Sequence, residues 1–151
     1  MLKEEKYQQL LKNATEILNG ETDFIANLSN LAAILHREMD FWWTGFYIVK
    51  GEELVLGPFQ GPVACTRIRF GKGVCGTAWK EKKTIIVPDV HLFPGHIACS
   101  YESNSEIVVP VFDQHSNVKM VLDIDSTHYN CFDQTDADYL QKLTALITLP
   151  A

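Results

Sequence analysis

The chain has no run approaching the roughly 20 apolar residues that a helical membrane span requires. Its first six residues, Met1-Leu2-Lys3-Glu4-Glu5-Lys6, alternate in charge without an apolar segment. Both absences argue against a membrane anchor and a signal peptide, so no membrane partner is expected and the cytoplasm is the default location. Positive charge is also scarce: 13 Lys and Arg stand against 19 Asp and Glu, for a net charge of −6. Phosphate-rich partners are held by clustered lysine and arginine, so no nucleic-acid partner is expected, and Lys80-Glu81-Lys82-Lys83 reads as a solvated helix end. Internal repeats, low-complexity tracts and paired Cys-x-x-Cys or His-x-x-x-His units are missing as well. The last of these removes the persuasive signs of zinc. His91, His96 and Cys99 share one loop at a spacing that matches no metal motif, and neither a metal nor another cofactor is expected.

What remains is an ordinary globular composition, 46% apolar and 21% charged over 151 residues, which fits one domain spanning residues 1–151. Apolar residues at helical spacing mark a first helix (Tyr7, Leu10, Leu11, Ala14, Ile17, Leu18) that stops near Asn19-Gly20. A second helix, capped by Asp23, carries Ile25, Leu28, Leu31, Ala32, Leu35 and Met39 on one face. Both are expected to pack on a sheet. From residue 42 the pattern turns strand-like: Trp42 to Val49 and Glu53 to Leu56 form a hairpin, and Pro58, Gly61 and Pro62 break the chain into a loop. A short strand at Thr66 to Phe70, a helix from about Val74 to Lys80, and a strand at Thr84 to Val87 follow. Pro88 to Asn104 is long and irregular, which in a compact domain points to function. A second hairpin, Ile107 to Phe112 with Val118 to Asp125, precedes a closing helix capped by Asp133 or Thr135, with Leu140, Leu143 and Ile147 on its inner face. Terminal helices around hairpin-linked strands give an α+β fold, an antiparallel sheet covered by helices.

Four cysteines in a reducing compartment are free thiols, ligands or catalysts rather than a structural disulfide framework. Cys75 falls at a helix start, where backbone amides and the helix dipole favour a thiolate; the competing reading is a small buried hydrophobe, and Cys131 keeps that one. In Leu122-Asp123-Ile124-Asp125 the period of two puts both aspartates on one strand face and the aliphatic residues on the core face. Two like charges held together suit an ammonium ligand or proton donation, or else form the solvated face of an edge strand. Trp43, Gly45 and Tyr47 share another face, the glycine leaving an open shelf that is either an apolar pocket or core.

Taken together, Trp43-Thr44-Gly45-Phe46-Tyr47, Leu56-Gly57-Pro58-Phe59-Gln60-Gly61, Gly71-Lys72-Gly73-Val74-Cys75-Gly76-Thr77-Ala78, Asp89-Val90-His91, Gly95-His96-Ile97-Ala98-Cys99, Ser103-Asn104-Ser105-Glu106-Ile107-Val108 and Leu122-Asp123-Ile124-Asp125 resemble the free methionine-(R)-sulfoxide reductases, single-domain proteins of GAF fold, over nearly the whole chain. The resemblance implies that Cys65, Cys75 and Cys99 are the redox cysteines, and that Trp43, Tyr47, Glu106, Asp123 and Asp125 form the substrate pocket. Of the three cysteines, Cys99, in the long loop beside the Ser103 to Glu106 motif, is expected to attack the sulfoxide sulfur, with Cys65 resolving it and Cys75 as an auxiliary or alternative nucleophile. Glu106 or an aspartate would protonate the departing oxygen, free methionine sulfoxide would be the substrate, and a thioredoxin-like dithiol would be the reductant. Ser100 stands where the family commonly has aspartate, Lys119-Met120 where it has Ile-Gly, and the turn before them is one residue longer. The alternative is a GAF module that senses a small ligand or redox state without turnover. A chain ending at Ala151, directly after the last helix, favours a free-standing enzyme, and exposed hairpin edges and terminal helices leave room for a homodimer.

Overall fold

The computed structural model describes residues 1–96 and 101–151. Its elements run α1 (Lys3–Leu18), α2 (Phe24–Glu38), β1 (Trp43–Lys50), β2 (Glu53–Gln60), β3 (Arg67–Arg69), α3 (Gly73–Glu81), β4 (Ile85–Val87), a 3-10 turn (Val90–Leu92), β5 (Ser105–Phe112), β6 (Val118–Ser126) and α4 (Gln134–Thr144). The strands form one sheet in the order β3-β2-β1-β6-β5-β4, each neighbouring pair antiparallel. This is the expected α+β arrangement. Both edge strands are only three residues long, which leaves little unpaired edge.

The sheet is covered on both faces. On one, Phe46, Ile107, Val109, Met120, Leu122 and Ile124 pack against Tyr7 and Leu10 of α1, Leu28, Leu31 and Leu35 of α2, and Leu140 and Leu143 of α4. On the other, Val74, Cys75 and Ala78 of α3 close over Trp43, Tyr47, Val108 and Val121. The period of two along β6 therefore sorts Leu122 and Ile124 into the first layer and Val121 and Asp123 toward the second. Helix α1 rests chiefly on α2 and α4 rather than directly on the sheet, with Tyr7 stacked on Tyr139 and its hydroxyl donating to the buried Asp136 carboxylate. Asp136 also accepts from Lys3 Nζ at 2.7 Å, so the first and last helices are tied by one polar network. Asp133 caps α4 by accepting from the amides of Thr135 and Asp136 at 2.9 and 3.3 Å.

Several expectations need correction. Helix α1 packs on α2 and α4 instead of lying on the sheet, and Ile17, at helical spacing with its buried residues, is exposed. Ile25 is exposed, because the first turn of α2 instead turns Asn27 inward, where its side-chain amide donates to the Glu21 carbonyl at 3.1 Å. Pro58 does not end its strand: β2 continues to Gln60 because Gly57 and Pro58 together oppose Phe46, a bulge at which the missing proline N–H is not needed by the ladder. Ile147 packs on the core from beyond the end of α4. Among the described residues no helix is long and apolar enough to cross a membrane.

Candidate active site

Strand register assembles the site. Trp43 of β1 lies opposite Asp125 of β6, Asp125 opposite Glu106 of β5, and Glu106 opposite Val87 of β4; one step along, Gly45, Asp123 and Val108 form the adjoining row. Three carboxyl groups from two neighbouring strands thus share one face of the sheet, and β6 is a central strand, which removes the solvated-edge reading of its aspartates. Helix α3 crosses above them and lowers Cys75 onto the group, its Sγ 4.0 Å from Glu106 Oε2. Glu106 and Asp123 are each only 6% exposed.

The aromatic wall is built with equal economy of space. Gly45 is not an open shelf, as expected, but is covered: a Cβ there would lie 2.5 Å from Phe59 Cβ and 2.6 Å from the Trp43 ring. The indole folds back over its own strand, stacked between Phe59 and Tyr47 at centroid distances of 5.4 and 6.0 Å. Its Nε1 donates to the Pro62 carbonyl at 2.9 Å. Gly61, with φ of +129°, brings the backbone against the other side of the ring, where a Cβ would meet Trp43 Cδ1 at 2.7 Å. Tyr47 donates its hydroxyl to the Cys65 carbonyl at 2.9 Å, fixing the cysteine-bearing loop to the sheet.

These elements enclose a cavity of about 60 Å³ lined by Trp43, Tyr47, Cys75, Glu106, Asp123 and Asp125 together with the loop residues Val63, His96 and Ser103. Of the residues expected to form the site, these first six meet in it. Cys65 lies at its margin, behind the Tyr47 hydrogen bond, and is disulfide-bonded. Cys99 and Ser100 lie outside the described residues. His96 and Ser103 are additions. Ser103 donates to Asp125 Oδ1 at 3.4 Å, a pairing that only the β5–β6 register brings about. His96 reaches the cavity, whereas His91 pairs with Asp89 at 2.8 Å, so the two do not act as one unit.

Electrostatically the pocket favours neutral acids. Burial, reinforced by the neighbouring aspartates, pushes the Glu106 carboxyl well above its ordinary range. Burial and the charge of Asp123 do the same to Asp125, and burial raises Asp123. Asp123 Oδ1 is buried without a hydrogen-bond partner, an acceptor left for a ligand. Cys75 departs from expectation. It does stand in the first turn of a helix, but burial and the acids Asp123, Glu106 and Asp125 push its thiol well above the usual value, so the surroundings overcome the dipole and hold it as a thiol.

The curled six-stranded antiparallel sheet with its four helices has the architecture of a GAF domain, and the GAF domain family model matches residues 21–149. The chain is 56% identical to GAF domain-containing protein A of Dictyostelium discoideum over 96% of its own length and 92% of that protein's. It is 46% identical to the free methionine-R-sulfoxide reductase of Saccharomyces cerevisiae, covering 96% of this chain and 85% of the yeast protein. The solved free methionine-R-sulfoxide reductase of Neisseria meningitidis, in complex with its substrate, superposes with a TM-score of 0.95 at 48% identity, covering 97% of this chain and 89% of that one. The chain therefore belongs to the free methionine-R-sulfoxide reductase family.

Proposed function

We propose that the pocket reduces free L-methionine-(R)-sulfoxide to methionine. The observation that carries this reading is the convergence of Glu106, Asp123 and Asp125 beside the Trp43 wall, in a cavity whose described lining contains no lysine or arginine. Such a group holds a substrate ammonium through its ionised members and a transferable proton through the rest. Trp43, which lines the cavity, contacts the methyl end of the substrate. Cys99 attacks the sulfoxide sulfur, and Glu106 or one of the aspartates supplies the proton that makes the oxygen a leaving group. Methionine sulfur gains two electrons, and Cys99 sulfur loses two as it takes the oxygen in a sulfenic acid. Cys65 then displaces that oxygen as water, forming a disulfide, and an external dithiol of the thioredoxin type restores both thiols. The Tyr47 anchor on the Cys65 loop and the disulfide-bonded state of Cys65 support the resolving role. The raised thiol pKa of Cys75 argues against it as the attacking group. A cytoplasmic location and a homodimer belong to the same reading.

One equivalent of free R-sulfoxide added to the fully reduced protein, with no other reductant, is expected to yield one methionine and remove two thiols. Cys65→Ser should still yield methionine and leave a sulfenic acid, while Cys99→Ser should yield none. Methionine formation by Cys99→Ser at the wild-type level would assign the attack elsewhere.

A further inference from the structure

Cys75, which the proposed reduction leaves without a role, stands beside Glu106 and Asp123 as part of a set of metal donors. Cys75 Sγ, a Glu106 carboxylate oxygen and an Asp123 carboxylate oxygen all lie within 4.8 Å of one another, each side chain is buried, and each comes from a different element: α3, β5 and β6. Metal–ligand lengths of about 2.3 Å to sulfur and about 2.0 Å to oxygen place tetrahedral S and O donors about 3.5 Å apart. The Cys75–Glu106 pair at 4.0 Å needs only a small inward rotation to reach that spacing. Independently, Asp123 is 6% exposed and its Oδ1 has no partner.

We propose that this floor of the pocket is a site for a thiophilic divalent cation of the zinc type, held by Cys75, Glu106 and Asp123 with its fourth position open to the cavity, and that the bound cation excludes the substrate ammonium. The thiol ligand selects zinc, cadmium or cobalt over magnesium and calcium, which seek six or more oxygens. On binding, the Cys75 thiol gives its proton to solvent, the S–metal bond replaces S–H, and no electrons are exchanged. Cation binding stands on the donor geometry alone; the exclusion of substrate rests on the reductase reading.

Cobalt(II) is the probe, because its thiolate complexes absorb in the near ultraviolet through sulfur-to-metal charge transfer. In a full-length Cys65→Ser, Cys99→Ser background, titration is expected to give one cobalt per chain with this band. The band should vanish on adding Cys75→Ser and persist on adding Cys131→Ser. Asp123→Asn should weaken cobalt binding at least tenfold while its far-ultraviolet circular dichroism stays native. Absence of the band, or a band that survives loss of Cys75, would overturn the cation site. Zinc should inhibit wild-type turnover competitively with free methionine sulfoxide, and noncompetitive inhibition would overturn the exclusion. Turnover measured without metal tests the reductase reading separately, so the two can fail independently.

Discussion

Cys75 is where two local rules oppose each other. A helix start favours a thiolate by supplying unpaired amides, yet burial under α3 above three acids favours the thiol, and burial prevails. The same surroundings make Glu106 the best placed proton donor, since it is buried, flanked by Asp123 and Asp125, and raised well above an ordinary carboxyl. Glu106→Gln keeps the shape and removes the transferable proton. It is expected to lower kcat by roughly 10²–10⁴-fold, the usual contribution of a positioned general acid, with native circular dichroism; steady-state kinetics with free methionine-(R)-sulfoxide checks this. Cysteine placement was visible from the residues, but the sign of the thiol's shift was not, because it depends on which strands end up beneath the helix.

At the scale of elements, alternation along Leu122-Asp123-Ile124-Asp125 was enough to put the acids on one face, since a period of two does not depend on tertiary context. That face became a site only through register: Asp125 opposite both Trp43 and Glu106 is a pairing of distant segments that no local pattern carries. Pro58 misled for a related reason, since a bulge is defined by the partner strand. The Gly45 shelf failed because nothing local fixes where the Trp43 ring folds. Caps were easier to foresee, being written within four residues. Asp133 carries the start of α4 and accepts two backbone amides there; Asp133→Ala is expected to cost about 1 kcal/mol of stability, read as a lower urea midpoint with an unchanged slope.

For the whole molecule, the acid cluster trades stability for chemistry. Folded-state pKa values raised above those of the unfolded chain mean that, as pH climbs through about 4, the unfolded chain sheds these protons while the folded one keeps them. The native state then loses relative stability progressively, until the folded pKa values are passed. Asp123→Asn, which cannot ionise, should therefore melt higher than wild type at about pH 8 and approach it below about pH 3, where the wild-type carboxyl is protonated in the folded and the unfolded chain alike. Calorimetry across that range checks the prediction. An unchanged difference at the two ends would mean that the asparagine acts through packing rather than charge.

The cluster also dictates which substrate the molecule accepts. A pocket that holds an ammonium among buried carboxyls, with no lining lysine or arginine among the described residues, should refuse the same sulfoxide once its nitrogen is acylated. The deciding measurement is methionine formation with dithiothreitol as reductant from free methionine-(R)-sulfoxide, its S epimer, N-acetylmethionine-(R)-sulfoxide and a peptide-bound sulfoxide. Turnover confined to the free R epimer is the expected result. Equal turnover of the acylated forms, or none with any of the four, would contradict the account, the second outcome pointing to a GAF module that binds its ligand without transforming it.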